Sequence, residues 1–467
     1  MPPTSQEPGP SSGAVLALVA VGTLFSAMSG SMVGMALPDI GGDLGVPVAR
    51  ASWVLQAFLL TATVLVIPAG RLGDLLGHRR VYLAGYALVG ACALLCGFAS
   101  HFGLLVAARA VQGAGSAMVM ATGPALLTTS RPASQRGRAL GVVSTATYIG
   151  LAVGPGLGGL LVEWSGWRGT FFLLVPVVLL VLALGSRLPA DPPRARAQVD
   201  LPGLAVLLLG FPWLLIGLGA GGTWGWAAPA TLACLAAGVI GLALFTLVER
   251  RQAEPLLRLE LFGVREFQGA SLSALANYAA VFVPSLLMPY YLRESVGLDP
   301  STSGLVLTVQ PVAMALVASP SGWLSDRVGT RTPAVVGMLL VAAGMGGLAA
   351  TGIGTVPVTI TAAWYALVGL GTGVFISPNS SALMGSAPRD RQGTAGALLA
   401  VSRTLGMMVG VALGASIFGA VGGRTGLPWQ APDQHAFRLA LGAAMLAALL
   451  GAAAASYRSV GGAERAA

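Results

Sequence analysis

Charge is what this sequence lacks most. Only 9% of its 467 residues are charged, and lysine is absent, so that all 26 basic residues are arginine. A soluble protein of this length needs far more charge on its surface, so the composition excludes a soluble globular protein. The 55% of hydrophobic residues indicates instead a chain surrounded by lipid for most of its length.

Residues that carry chemistry are also scarce. His78, His101 and His435 are scattered, and Cys92 and Cys96 stand one helical turn apart without companion metal ligands. The sequence has neither a phosphate-binding loop nor a nucleophile–base set. We therefore expect no enzyme activity, no metal and no cofactor. The arginines behind the net charge of +9 lie in breaks between apolar runs, which argues against nucleic acid as a partner.

Long apolar runs, by contrast, fill the sequence. A transmembrane helix needs about 20 predominantly apolar residues. The sequence predicts fourteen such helices and no strands, at 14–37, 51–70, 81–99, 103–126, 138–162, 169–187, 202–220, 229–248, 268–290, 303–324, 332–352, 357–382, 393–420 and 435–457. The expected fold class is an all-α polytopic membrane protein.

The arginines between these runs are unevenly distributed. The side that holds both termini carries 19 arginines, whereas the other side carries about five. Basic residues accumulate in cytoplasmic loops. The sequence therefore predicts that both termini lie in the cytoplasm, in agreement with an even number of helices.

Two motifs recur at nearly equal offsets. Asp74, Gly77 and Arg79 of "GRLGDLLGHRR" recur 252 residues later as Asp326, Gly329 and Arg331, and Gly150, Gly154 and Gly158 recur 256 residues later as Gly406, Gly410 and Gly414. The repeats predict two related six-helix bundles with a two-helix insert between them, a usual architecture of secondary transporters. The predicted boundaries are a tail at 1–13, the first bundle at 14–187, a linker and insert at 188–267, the second bundle at 268–457 and a tail at 458–467.

Several motifs together carry a family resemblance. The chain resembles the major facilitator superfamily, and within it the fourteen-helix drug:proton antiporter branch. The matching stretches are "GRLGDLLGHRR" at 70–80, "RAVQGAG" at 109–115 and "GLAVGPGLGG" at 150–159, supported by "ALPDI", "WVLQAFLL" and "EPLLRLELF". The resemblance covers nearly the whole chain, and its motifs occur in order on the expected helices.

The resemblance implies a secondary active efflux transporter in a bacterial inner membrane. Its expected substrate is a small amphipathic compound, such as an antibiotic, a drug or a toxic metabolite, moved by alternating access with the proton gradient as energy source. Membrane lipid, protons and the substrate are the expected partners. The alternatives are a proton-independent uniporter, a symporter or a lipid transporter of the same fold. A non-transporting scaffold or sensor is disfavoured because no predicted loop exceeds about 20 residues.

The glycine-rich motif of the fifth predicted helix and the loop motif after the second suggest gating elements. Gly150, Gly154 and Gly158 fall on one helix face, where another helix can approach closely, and Pro155 bends the helix. We expect this stretch to form a tight, kinked contact between the two bundles. The resemblance implies that Asp74 clasps the other bundle, beside the turn at Gly77 and the rim residue Arg79. Asp326 and Arg331 are expected to form a weaker counterpart.

Two arginines lie inside predicted helices, where a charge is costly and marks a functional hypothesis. The resemblance implies a part for Arg109 in proton coupling, with Gln112 one turn away, whereas Arg403 matches no motif. Polar and aromatic residues predicted to line a substrate cavity are Gln56, Gln112, Tyr148, Asn277, Tyr278, Gln310 and Asn379. Each of them could equally brace neighbouring helices.

The first helix departs from the family pattern. Many members carry an acidic residue there, but "SGSMVGMALP" at 29–38 places Ser29 at that position and Gly34 where an asparagine is usual. No acidic residue in the sequence lies near the middle of a predicted helix. This absence weakens the case for a cationic substrate, leaves proton coupling open, and favours neutral or anionic substrates.

Overall fold

The computed structural model describes residues 10–131, 133–186, 201–252, 259–351, 356–387, 392–421 and 429–458. Within these ranges, fourteen helices are long and apolar enough to cross a membrane, which confirms the predicted number. We name them α1 (Pro10–Leu44), α2 (Trp53–Leu76), α3 (His78–Gly97), α4 (Phe102–Thr129), α5 (Ala133–Ser165), α6 (Trp167–Phe172 and Leu174–Ser186), α7 (Leu201–Trp224), α8 (Pro229–Glu249), α9 (Arg265–Tyr290), α10 (Pro300–Val328), α11 (Arg331–Thr351), α12 (Val358–Gly385), α13 (Gln392–Ala420) and α14 (Ala431–Ser456).

Most helices extend past the apolar runs that predict them. The run predicted at 14–37 is part of α1, which continues to Leu44 with Pro38 inside it. Helical hydrogen bonding continues into the polar residues at the membrane surface, whereas hydrophobicity marks only the lipid-embedded part. A short helix (Val48–Ala51), a 3₁₀ segment (Leu259–Gly263) and a π-helical turn (Tyr291–Ser295) complete the secondary structure of the described residues.

The two glycine repeats make the same packing contact in each bundle. Gly150, Gly154 and Gly158 of α5 lie against α1, and a Cβ added at Gly158 would stand 3.0 Å from the Met32 Cα. In the second bundle, Gly406 and Gly410 of α13 lie against α9. The absent side chains allow each helix pair to approach backbone to backbone.

A second pair of contacts is also duplicated. Gly85 of α3 faces Gly115 of α4, and a Cβ at either would lie 2.8 Å from the other's carbonyl oxygen. In the second bundle, Gly337 of α11 faces Gly371 of α12 in the same way. Gly337 follows Gly85 by 252 residues and Gly371 follows Gly115 by 256, which are the offsets found in the motifs. The predicted duplication of six-helix bundles is therefore visible in the packing as well as in the sequence.

The insert consists of α7 and α8, which pack closely through Gly210 and Gly241. Helix α7 lies beside α2 and α13, and apolar side chains of all three join one buried cluster that includes Val64, Phe211 and Met408. At its other end, Gly222 of α7 contacts Ser416 of α13. Helix α7 thus fills the space between the bundles on one flank of the molecule.

Candidate functional site

The bundles touch most closely where α5 crosses α10. The Gly156 N–H donates a hydrogen bond to the Thr308 hydroxyl at 3.1 Å, and the Pro155 carbonyl lies against Gly304. We call the end of the molecule where α1 begins and α14 ends the termini side, and the opposite end the far side. The crossing of α5 and α10 lies toward the far side.

One sequence prediction is corrected by this geometry. The stripe of Gly150, Gly154 and Gly158 was expected to contact the other bundle, but it packs against α1 of its own bundle. The stripe occupies one helix face, and α1 is the neighbour on that face. The contact with the other bundle uses an adjoining face of the same motif, through Gly156 and Gly159.

Beyond this crossing, three further polar contacts among the described residues join the bundles on the far side, and together we call them the far-side clasp. The Tyr290 hydroxyl donates to the Leu37 carbonyl at 3.1 Å, Arg293 forms an ion pair with Asp39, and the Ser301 hydroxyl donates to the Glu163 carboxylate. They connect α1 with α9 and its π-helical turn, and α5 with α10. The far side is therefore closed in this conformation.

Neighbouring contacts within each bundle support the clasp. Arg168 donates to the Asp43 carboxylate at 2.7 Å, and the Trp167 indole donates to the same oxygen at 3.0 Å. In the second bundle the Trp429 indole donates to Glu294 at 3.0 Å. Sequence reasoning missed this arrangement, although Arg168 and Arg293 were among the few arginines assigned to the far side.

The termini-side motif residues contact their own bundle. The Asp74 carboxylate lies 3.7 Å from His78 Nε2, and Arg79 donates to the carbonyls of Gly185 and Ser186 at the end of α6, at 2.9 and 2.8 Å. A cation at the C-terminal end of a helix is favourable because it faces the negative end of the helix dipole. The clasp role of Asp74 belongs to a conformation closed on the termini side and stays a prediction.

The turn residues of the two motifs have equivalent backbone conformations. Gly77 has φ 100° and Gly329 has φ 81°, a region that favours glycine, so the predicted tight turn at Gly77 is confirmed. Asp326 is exposed and Arg331 half-buried on this side. Their proposed partnership across the bundles also stays a prediction.

Arg109 is sealed inside the first bundle. Its side chain is 1% exposed, donates from Nε to the Val54 carbonyl at 2.9 Å and from Nη1 to Gln112 at 2.7 Å, and lies 4.3 Å from the centre of the Phe58 ring. Gln112 in turn donates to the Val89 carbonyl. Arg109 thus connects α4 with α2 and, through Gln112, with α3.

Arg403 has a different environment. Its Nε donates to the Tyr278 hydroxyl at 2.7 Å, and its guanidinium carbon lies 5.3 Å from the centre of the Tyr278 ring. Tyr148, from the first bundle, is close enough to interact electrostatically with both residues. All three side chains are half-buried. The structure therefore pairs two predicted site residues, Arg403 and Tyr278, and places a third, Tyr148 of the other bundle, within electrostatic range of them.

The other predicted cavity residues are distributed over both bundles. Gln56 donates to Ser52 and points toward Gly219 of α7, and Asn277 contacts the Met338 sulfur inside the second bundle. Gln310 is 9% exposed. Gln112 lines a small cavity of about 30 Å³ with Ser29, the residue that replaces the expected acid. We find Gln56 and Asn277 in positions that brace helices.

Asn379 belongs to a buried polar cluster that the sequence did not reveal. Its side chain donates to the Ala270 carbonyl at 3.1 Å and accepts from Arg458, which also donates to Ser273 at 2.6 Å. Arg458 is only 2% exposed. Arg458 follows the last apolar run, which predicts a place in the tail, but its side chain is buried in the second bundle.

Comparison with known proteins identifies the family. The model of the Major Facilitator Superfamily matches residues 19–252 and 270–464. The chain belongs to the Major Facilitator Superfamily. This confirms the resemblance drawn from the motifs, and the break in the match, at 253–269, covers the segment after the insert and the first residues of α9.

Similar proteins include exporters and a vitamin transporter. The chain is 34% identical to the tetracenomycin C resistance and export protein of Streptomyces glaucescens, over 86% of this chain and 74% of that protein. It is 28% identical to the riboflavin transporter RibZ of Clostridioides difficile, over 86% of this chain and 88% of that protein. A crystal structure of the peptide transporter POT in complex with sulfate has the same fold, with a TM-score of 0.71, 16% identity and 94% coverage of both chains.

Proposed function

We propose that this protein is a secondary active exporter of a small amphipathic compound, such as an antibiotic, a drug or a toxic metabolite. It works by alternating access with proton antiport, in a bacterial inner membrane with both termini in the cytoplasm. Membership of the family identifies the chain as a membrane transporter of small substrates.

The observation that carries the mechanism is the uneven contact between the bundles. Hydrogen bonds, an ion pair and a close backbone approach join them on the far side. On the termini side, Asp74 and Arg79 contact their own bundle. Farther along their helices, the half-buried side chains of Tyr148 and Arg403, which belong to different bundles, are within electrostatic range of each other. A conformation closed on the far side is one of the two states that alternating access requires.

The coupling of substrate transport to proton movement is tested in proteoliposomes that contain a pH-sensitive dye. A pH gradient is imposed, and neutral, anionic and cationic amphipathic compounds are added in turn. Antiport predicts proton movement that starts on addition of a substrate and is lost in Asp74→Asn. The control is Arg327→Gln, because Arg327 lies at the rim and stacks on Trp323 of its own helix.

A proton-independent transporter of the same fold is the second candidate. Ser29 favours it, because this residue stands where many members of the family branch carry an acidic residue, and it lines a small cavity inside the first bundle. Substrate movement without proton movement would replace antiport by uniport. Absence of any substrate movement with the whole panel would contradict export.

A further inference from the structure

We infer that Arg403, Tyr278 and Tyr148 form a binding site for the anionic group of an aromatic substrate. This inference rests on the proposed export function and adds the chemical class of the compound. It assigns recognition to Arg403 and leaves Arg109 as a residue that supports the first bundle.

Arg403 lacks a counter-charge in the described part of the protein. Among the described residues, no carboxylate lies within ion-pair distance of Arg403, and its electrostatic neighbours are two tyrosines. A guanidinium inside a membrane-spanning helix costs several kcal/mol unless it is paired. An anionic ligand would supply the charge that the protein does not.

Only one of the three guanidinium nitrogens of Arg403 has a hydrogen-bond partner among the described residues. Its Nε donates to Tyr278, which orients the group, while neither Nη atom has a hydrogen-bond partner in the described part of the chain. The Arg403 side chain is half-buried, so these Nη atoms are not sealed inside the bundle as the Arg109 side chain is. Two parallel N–H donors match the oxygens of a carboxylate, sulfonate or phosphate.

The tyrosine rings around Arg403 come from both bundles. Tyr278 stands beside the guanidinium in the second bundle, and Tyr148 of the first bundle is within electrostatic range of both residues. Aromatic rings favour a planar apolar ligand by stacking or edge contacts. Because the site takes residues from both bundles, its shape changes when they move, as binding coupled to alternating access requires.

Arg109 provides the contrast that selects Arg403. Both arginines lie within membrane-spanning helices, but Arg109 has protein partners at Nε and Nη1 and is 1% exposed. A ligand could reach it only by displacing Gln112 or Phe58. Arg403 therefore provides the guanidinium that a substrate between the bundles can contact.

The test uses three probes with the same ring and different charge. They are 2-naphthalenesulfonate, 2-naphthalenesulfonamide and (2-naphthylmethyl)trimethylammonium, with binding measured by equilibrium dialysis against the full chain in phosphatidylcholine nanodiscs. We expect the sulfonate to bind at least tenfold more tightly than the sulfonamide. Arg403→Gln should remove this preference, Arg403→Lys should keep part of it, and Arg327→Gln should keep all of it.

Equal binding of the sulfonate and the sulfonamide, or an unchanged preference in Arg403→Gln, would overturn the inference. Flux of the sulfonate and the ammonium probe in proteoliposomes separates this failure from failure of the proposed function. Movement of the ammonium probe without the sulfonate leaves export standing and rejects the anion site. Tight sulfonate binding that depends on Arg403, with neither probe moved, keeps the site and rejects export.

Discussion

The two bundles share their packing and differ in their charges. Glycines join α1 to α5 and α3 to α4 in the first bundle, and equivalent glycines join α9 to α13 and α11 to α12 in the second. Arg109, however, corresponds at the offset of 256 to Tyr365, and Arg403 corresponds to Thr147. The close helix contacts are thus common to both copies, whereas each membrane-embedded arginine belongs to one copy alone.

This difference distinguishes residues that are needed for the packing of each bundle from residues that are candidates for transport function. A glycine contact has one requirement, the close approach of two backbones, and both copies must meet it to fold. A buried charge must be justified by a specific partner or ligand, so it need not occur twice. The residues that break the symmetry are therefore the first candidates for function.

The largest expected effect comes from joining the bundles to each other. In a background with Cys92, Cys96 and Cys234 replaced by Ala, we introduce Glu163→Cys and Ser301→Cys and add a short bifunctional thiol reagent. Because these side chains meet across the far-side clasp, the cross-link should abolish transport in proteoliposomes. The same reagent on each single variant should have no effect.

A matched cross-link within one bundle sharpens the result. Asp43 and Arg168 contact each other on the same side of the molecule but both belong to the first bundle. Cross-linked Asp43→Cys with Arg168→Cys should retain most of the transport, because the bundle moves as a unit. Equal loss in the two cross-linked proteins would contradict movement of intact bundles.

The next effect tests the shared packing. Gly154→Val and Gly410→Val each place a branched side chain against the backbone of the neighbouring helix, and overpacking costs roughly 1–3 kcal/mol or more. Both variants should give less folded protein in size-exclusion chromatography and a lower Tm. Gly141→Val and Gly396→Val are controls on the same two helices, because a Cβ there meets no atom within 4 Å. A loss confined to one bundle would show that the contacts are not equivalent.

A smaller effect should distinguish the two arginines. Arg109→Ala removes the donor that joins α4 to the Val54 carbonyl of α2 and leaves the buried Gln112 Oε1 without its partner, which costs about 1–3 kcal/mol for the unsatisfied group. Arg403→Ala removes one hydrogen bond to Tyr278 from a half-buried site. Thermal unfolding in detergent should show a clearly lower Tm for Arg109→Ala than for Arg403→Ala. The reverse order would assign the bracing role to Arg403.

The smallest effect is a pH dependence confined to the second bundle. Asp299 caps α10, and the Thr302 N–H that donates to its carboxylate at 2.7 Å holds the pKa of Asp299 below its usual range. A lowered pKa in the folded state stabilises the protein above the unfolded pKa, and this stabilisation is lost as pH falls through the folded value. The corresponding position in the first bundle is Pro47, which does not titrate.

The measurement compares wild type with Asp299→Asn. The asparagine can cap the helix without titrating, so its Tm should exceed that of wild type only in acid, by about 1 °C. A difference of the same size at neutral pH would mean that the capping charge itself has no role. Pro47→Ala should show no such pH-dependent difference.

Most of the fold could be predicted from the sequence, because hydrophobicity marks the membrane-spanning helices and glycine spacing marks their close contacts. Helix number, the duplication and the turn at Gly77 follow from patterns that lipid and backbone geometry impose. The helix that packs against the glycine stripe could not be predicted, because a periodic pattern identifies one face of a helix but not the neighbour on that face. Only the packed helices show that Gly154 faces α1 and that Gly156 faces α10.

The candidate site was less predictable, because its contacts join residues distant along the chain. Tyr148, Tyr278 and Arg403 were each singled out, but 255 residues separate the first from the last, and no spacing rule brings them together. Asn379 was expected beside the substrate and instead contacts Arg458, whose burial has no sequence signal. The far-side pair of Asp39 and Arg293 was hidden for the same reason.

The close crossing of α5 and α10 has a mechanical consequence. Backbones in contact at Pro155 and Gly304 cannot slide past each other easily, so the crossing acts as a fulcrum. From Pro155 back to Ala133, α5 forms a lever arm of about 33 Å at 1.5 Å per residue. A rotation of about 10° at the fulcrum would move its termini-side end by roughly 6 Å, on the scale of one turn of helix. Small movements of the helices at the far-side clasp thereby become larger displacements at the termini side.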